Sequence, residues 1–349
     1  MWTAFRGLLT RLKIDPYILA LLGMVALAAI LPASGQAAVM LGWLTKVAIA
    51  LLFFLHGAKL SREAVVAALG HWRLHLLVLL STFALFPLLG LVASRLPPSL
   101  LPTSMAAGVL FLCCLPSTVQ SSIAFTSIAR GNVAAAVCAA SASNLIGIAA
   151  TPLLVALLMQ TQGSGFSFHE LEAVLLQLLA PFIAGQIARR WIGAWVDGNR
   201  RLLGFVDRGS ILLMVYAAFS EATVTGVWHR VTLAQGGVLL LVCAALLAMV
   251  LATTAFTARA LGFSKEDEIT IVMCGSKKSL ASGVPMASIL FPAATVGVVV
   301  LPLMLFHQIQ LMACAFIAQR YAARPDDSAP EAGAPNTGTF GQALSETHA

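Results

Sequence analysis

The sequence predicts an all-α membrane protein of ten transmembrane helices, arranged as two inverted five-helix repeats, with helices four and nine interrupted. Three observations predict it. Of 349 residues, 59% are hydrophobic and only 10% are charged, and mean hydropathy is +0.92; a soluble domain carries about 25% charged residues. Ten apolar segments are each long enough to cross a hydrocarbon core of about 30 Å. The basic residues fall almost wholly on one side of the membrane that these segments define. A chain this apolar cannot cover its surface in water, which excludes a soluble enzyme, a nucleic-acid binder and a disordered scaffold. The net charge of +7 is therefore a matter of topology rather than of nucleic-acid binding.

The ten segments are 16–32, 38–58, 74–95, 102–129, 133–159, 171–188, 209–227, 233–258, 268–291 and 294–318. Each must be helical, because lipid offers no partner to backbone N–H and C=O groups. With both termini cytoplasmic and the chain in the inner (plasma) membrane, the inner segments hold sixteen of the 21 Lys and Arg residues. The outer loops hold only Arg95 and Arg230, and Lys46, Lys277 and Lys278 lie inside spans. One miscounted helix would flip every later loop and erase the asymmetry. The first segment has a basic front (Arg6, Arg11, Lys13) and a small-residue exit, Pro32-Ala33-Ser34-Gly35, like a signal peptide. Nine spans follow it, so it reads as a signal anchor and first span.

These boundaries give a cytoplasmic N-terminus at 1–15, a first repeat at 16–159, a second at 160–320 and a disordered cytoplasmic tail at 321–349, rich in Pro, Asp, Ser, Gly and Thr. Trp191 to Arg208 reads as the longest inner loop. The six cysteines all lie in apolar stretches and read as packing residues, not as a disulfide framework or a zinc site.

Five spans per repeat is an odd number, so the second repeat enters the membrane from the opposite side, as in many secondary transporters. Interrupted spans at matching places point to the site of such proteins. Span four contains Cys113-Cys114-Leu115-Pro116-Ser117-Thr118-Val119-Gln120-Ser121-Ser122, and span nine contains Cys274-Gly275-Ser276-Lys277-Lys278-Ser279-Leu280-Ala281-Ser282-Gly283. Offset by 161 positions, Cys113, Ser121, Ser127 and Ile128 fall on Cys274, Ser282, Ser288 and Ile289. Pro116 lacks an N–H, and Gly275 and Gly283 are costly in a helix interior. The adjacent hydroxyls can bond the backbone that a break releases. The alternative is a kinked but continuous helix.

Lys277 and Lys278 lie about 12–13 Å into span nine, near mid-bilayer. A lysine there costs on the order of 3 kcal/mol on insertion scales. One reading has one or both ammonium groups facing a hydrated cavity, binding an anionic substrate or exchanging protons. The other is a structural ion pair or capping of backbone carbonyls. Ser117, Thr118, Gln120, Ser121, Ser122, Asn144, Ser276 and Ser279 join the lysines as candidate substrate or ion ligands. Thr82, Ser141, Ser143, Glu221, His307 and Gln308 are candidate pathway residues; the serines serve packing equally well, and the alternative reading of the histidine is a satisfied core residue. Lys46 reads as snorkelling to the outer surface.

Five stretches carry a resemblance to a known family: Phe53 through Leu60, Phe83 through Pro87, Leu115 through Gln120, Ala129 through Val133 and Cys274 through Ala281. On these the chain resembles the bile acid:sodium symporter family, in its SBF-like branch, over roughly residues 15–320. The resemblance implies a panel domain and a core domain, with spans four and nine broken and crossing, and alternating access by elevator-like or rocking motion. It also implies departures. Where sodium-coupled members carry a glutamate in span nine, this chain has Val272-Met273-Cys274. Hydroxyl ligands of span five fall on Ala136 and Ala140, the serine–asparagine pair of span four falls near Ser122-Ile123, and a span-three glutamine falls on Thr82. A lysine standing in for the missing cation is the reading that follows, leaving proton coupling or facilitated transport.

The expected function is a secondary transporter, a symporter of a small organic anion coupled to sodium or protons. A membrane receptor or regulatory protein on the same scaffold is the alternative. No His-Glu-x-x-His, paired membrane aspartates or Gly-x-Ser-x-Gly is present, which argues against an enzyme, and no P-loop supplies ATP drive. The expected partners are the organic anion and membrane lipid, with no cofactor, metal or nucleic acid.

Overall fold

The computed structural model describes residues 16–59, 71–159, 168–226 and 232–324. The basic residues Arg6, Arg11, Lys13, Arg62 and Arg230 and the tail from Pro325 lie outside the described residues. Every described element is helical, and there is no strand among the described residues. In chain order the helices are α1 (Pro16–Ile30), α2 (Gln36–Lys59), α3 (Trp72–Ala93), α4 (Thr103–Cys114), α5 (Gln120–Ile128), α6 (Val133–Met159), α7 (Phe168–Gly198), α8 (Arg200–Val224), α9 (Leu233–Ala260), α10 (Lys265–Gly275), α11 (Leu280–Leu290) and α12 (Ala293–Ala322). Six of them, α2, α3, α6, α8, α9 and α12, are long and apolar enough to cross a membrane.

The outside of the bundle is as apolar as its inside. Leu157 of α6, Leu241 and Phe256 of α9 and Phe316 of α12 are all exposed. In water such a surface would aggregate; in lipid it is solvated. The chain is a multi-pass membrane protein.

Two groups of helices pack among themselves. The first is α1, α2, α7 and α8, and its tightest contact is α2 on α7. That contact depends on two missing side chains. A Cβ at Gly185 would stand 1.9 Å from the carbonyl oxygen of Phe54, and one at Gly57 would stand 2.0 Å from that of Phe182. Small residues let backbones meet in this way when lipid supplies no hydrophobic drive between helices. The second group is α3 to α6 with α9 to α12. In it α12 packs on α4, α9 and α11, and α8 links the groups by packing on α11 and α12.

Two features differ from the sequence reading. The Trp191–Arg208 stretch is not a loop: α7 continues to Gly198 and α8 begins at Arg200, with Asn199 alone between them. Polar side chains carry the helices beyond the apolar stretch, through ion pairs of Asp197 with Arg189 (3.0 Å) and Arg200 (2.8 Å). In addition, α3 widens into a π-turn at Ser81–Leu85. Pro87 lies just beyond and cannot donate to a helical ladder. The N–H of Phe86 bonds back to Ser81 O, five residues away. The carbonyl of Thr82 is thereby left without a ladder partner from either Phe86 or Pro87.

Gly185→Ala tests the helix contact. The added methyl overpacks a backbone-to-backbone approach, at a cost of about 1–3 kcal/mol. The expected outcome is a lower thermal-unfolding midpoint in detergent, while alanine at the open position Gly204 leaves it unchanged.

Candidate functional site

Helix α4 stops because Pro116 forces the residue before it out of the helical region. Leu115 is extended, at φ −75° and ψ 154°. The chain stays non-helical to Val119, and α5 begins at Gln120. Further along the chain, α10 ends at Gly275 and α11 begins at Leu280, with Ser276-Lys277-Lys278-Ser279 between. Ser279 caps α11 by accepting from Ser282 N at 3.1 Å. The break lies about 16 Å along from the start of α10. The two breaks touch: Ser279 N donates to Pro116 O at 2.9 Å, and Ser117 Oγ donates to Cys274 O at 2.6 Å.

A break at this depth strands backbone carbonyls, each of which needs a donor. The structure answers them one by one. Cys114 O accepts from Thr151 Oγ1 at 2.9 Å, Ser117 O from Asn144 Nδ2 at 2.6 Å and Gly275 O from Ser81 Oγ at 2.9 Å. Two further carbonyls of the first break, Cys113 O and Leu115 O, both accept from Lys278 Nζ at 2.7 Å. The third proton of that ammonium goes to Thr82 O at 2.8 Å, the carbonyl that the π-turn released. The face of Phe86 closes the cage, its centroid 4.2 Å from Nζ. The backbone of Lys278 is held as firmly. Its N–H donates to Gln310 Oε1 at 2.9 Å and its carbonyl accepts from Gln310 Nε2 at 3.0 Å.

Lys277 is different. Its Nζ makes a long hydrogen bond, 3.4 Å to Ser121 O, has the Cys314 thiol as a further side-chain partner, and lies 4.2 Å from the centroid of Phe125. Both lysines are 0% exposed. The hydrated surroundings read from the sequence are not what encloses them in this conformation. For Lys278 the reading that holds is the second one, carbonyl capping, because all three ammonium protons are used.

Most of the other candidate residues gather around this point. Thr118 Oγ1 lies 2.8 Å from Ser121 Oγ, and Ser122 is buried beside both Thr118 and Ser117. Ser143 Oγ accepts from Ser117 N at 3.0 Å. Asn144 bridges the breaks, since its Oδ1 accepts from Ser282 Oγ at 2.8 Å. Thr82 contributes its carbonyl, its hydroxyl being spent on Val78 O. Ser276 caps its own helix at Val272 O, 2.6 Å away. His307 reaches the cluster through Gln310, whose Nε2 lies 2.9 Å from His307 Nδ1. Gln120 is exposed at the first turn of α5, and Ser141 is half-buried on α6. Gln308 buries its side-chain oxygen without a hydrogen-bond partner. No described hydrogen bond or ion pair ties the Glu221 side chain, half-buried near the end of α8, to the cluster.

The geometry brings in residues the sequence did not single out. Ser81 and Thr151 are ordinary helix hydroxyls until the breaks make carbonyls for them. Gln310 is a polar residue of an apolar helix, and its pairing with Lys278 depends on the fold. Glu268, at the start of span nine, is buried and accepts from Arg259 at 2.9 Å, Lys265 at 2.8 Å and Tyr321 at 2.9 Å, which pins the N-terminal end of α10.

Residues 15–323 match the model of the SBF-like CPA transporter family. The chain belongs to this family. Members similar to it include an "Uncharacterized protein PA2026" of Pseudomonas aeruginosa, 59% identical over 317 residues, covering 90% of this chain and 95% of the relative. The "Putative symporter YfeH" of Escherichia coli is 54% identical over 308 residues, covering 88% and 93%. The "Sodium/bile acid cotransporter 7" of Xenopus tropicalis is 29% identical over 313 residues, covering 88% and 91%. The SBF-like match extends over both breaks and all the residues described above.

Gln310→Leu strands the N–H and the carbonyl of Lys278, at about 1–3 kcal/mol for each group. A clear fall in the thermal midpoint is expected, with a smaller fall for Gln310→Glu, which keeps an acceptor for the N–H. An unchanged midpoint in Gln310→Leu would show that this pairing does not hold the break.

Proposed function

We propose that the protein is a secondary carrier that moves a small organic anion across the plasma membrane by alternating access. The observation that supports this best is Lys277: an ammonium at mid-bilayer, where two interrupted helices meet, with no carboxylate partner among the described salt bridges and only a 3.4 Å bond to Ser121 O and the Cys314 thiol as polar partners. A buried charge so lightly partnered is expensive to keep, and such residues in membranes mark substrate or ion pathways. Close by stand groups suited to an oxyanion: the hydroxyls of Thr118 and Ser121, and the first turn of α5, whose free N–H groups favour negative charge; Asn144, its amide spent on Ser117 O and Ala140 O, holds the breaks in place. Ser117, Ser122, Ser143, Ser276 and Ser279 shape the breaks that present these groups, and Gln120, Ser141, His307 and Gln308 line the approach.

The reading gives ten crossings in two inverted halves, with α4–α5 and α10–α11 as the interrupted spans and both termini in the cytoplasm. The group of α3 to α6 and α9 to α12 carries the site as one body and moves against α1, α2, α7 and α8. The enclosed lysines correspond to a conformation between the two open ones. A carrier of this kind draws on an ion or substrate gradient rather than on nucleotide hydrolysis. The names of the relatives, a symporter and a cotransporter, agree with this reading.

A flux screen in proteoliposomes over small carboxylates, sulfonates and sulfate esters tests it. At least one of these anions is expected to enter saturably. Lys277→Met is expected to lower that uptake by about 10- to 100-fold, the loss of one charged hydrogen bond, with Lys277→Arg less impaired. Full uptake by a folded Lys277→Met protein would remove Lys277 from the substrate path.

A further inference from the structure

The surroundings of the Lys278 ammonium are those of a bound monovalent cation. Three backbone carbonyl oxygens stand at 2.7–2.8 Å from Nζ, and an aromatic face closes the remaining side. Rings of carbonyl oxygens replace the water shell of alkali cations in the same manner. The ammonium is 0% exposed and has no carboxylate partner among the described salt bridges, so carbonyl dipoles alone balance its charge. Two of those dipoles sit at the C-terminal end of α4, the negative end of its macrodipole. The three oxygens come from separate places, the π-turn of α3 and two points of the first break, while the ammonium belongs to the second break. A cation in this cage therefore adds to the Ser279–Pro116, Ser117–Cys274 and Ser81–Gly275 bonds a single group that touches the first break, the second break and α3 at once.

We infer that Lys278 is a tethered cation, permanently filling an alkali-ion cage, and that the protein consequently neither binds nor requires sodium at this point. Occupancy excludes a free ion directly, and a second positive charge a few ångströms away would be repelled. The link among the three segments is covalently supplied and stays closed whatever the sodium concentration. For transport, the inference rests on the carrier reading above and names its coupling: anion flux is independent of a sodium gradient.

Two measurements on the purified full-length protein separate the parts. Thermal unfolding is followed in NaCl and in choline chloride at equal ionic strength. The wild type is expected to unfold at the same midpoint in both. Lys278→Ala, which empties the cage and leaves three carbonyls unpaired, is expected to unfold several degrees lower and to regain part of the loss, saturably, in NaCl or methylammonium chloride but not in choline chloride. Lys278→Met fills the space without a charge and is expected to show the loss without the regain. A wild type stabilised by sodium over choline overturns the inference, and that comparison needs no variant to fold. So does a Lys278→Ala protein that no small cation restores, or an equal regain in Lys278→Met. In proteoliposomes the wild-type anion flux is expected to be unchanged when an inward sodium gradient is imposed; a several-fold rise overturns the inference. An absence of flux under every condition instead counts against the carrier reading, and leaves the unfolding comparison to decide the role of Lys278.

Discussion

A peptide carbonyl inside a bilayer has no water to turn to, and that constraint governs the centre of this molecule. Two helices stop near mid-membrane. The oxygens they release are met by Thr151, Asn144, Ser81, Ser117 and the ammonium of Lys278, which takes three. Remove the ammonium and three oxygens at once lose their donors, in a place where each loss costs several kcal/mol. That one group touches α3, the first break and the second break together, alongside the Ser279–Pro116, Ser117–Cys274 and Ser81–Gly275 bonds.

The same constraint explains why adjacent lysines are so unlike. Neighbouring residues on a regular helix point about 100° apart. In the break, Lys278 turns toward α3 and α4, while Lys277 turns toward α5, beside Phe125 and Ser121. One charge is saturated and structural. The other is enclosed, thinly bonded and next to a helix N-terminus. A fold that keeps both must use the fixed one to shape the surroundings of the free one.

The coarse architecture was legible in the sequence because lipid reduces it to a few rules. Span-length apolar runs, Pro116 and the Gly275–Lys278 stretch located most of the helices and the two breaks within a few residues, but not the facing ends of α7 and α8. The chemistry at the breaks was harder to read. That Lys278 would cap carbonyls rather than face water depends on Thr82 O being free, and that depends on a π-turn ahead of Pro87 which no hydropathy pattern reveals. Gln310 lies 32 residues from the backbone it completes. The helical continuation through Trp191–Arg208 was missed for a related reason. Its polar residues resemble those of a loop until Asp197 is seen to bind Arg189 and Arg200 across the helix ends.

The division of labour between the two lysines is the central claim, and direct observation of the Lys278 side chain tests it best. An experimental density map of the protein in lipid nanodiscs, at a resolution that defines side chains and ions, is the measurement. The account predicts Lys278 Nζ within hydrogen-bonding distance of the carbonyls of Thr82, Cys113 and Leu115, with no separate ion among them. A Lys278 side chain swung into an aqueous cleft, or an ion occupying that cage in its place, would contradict it.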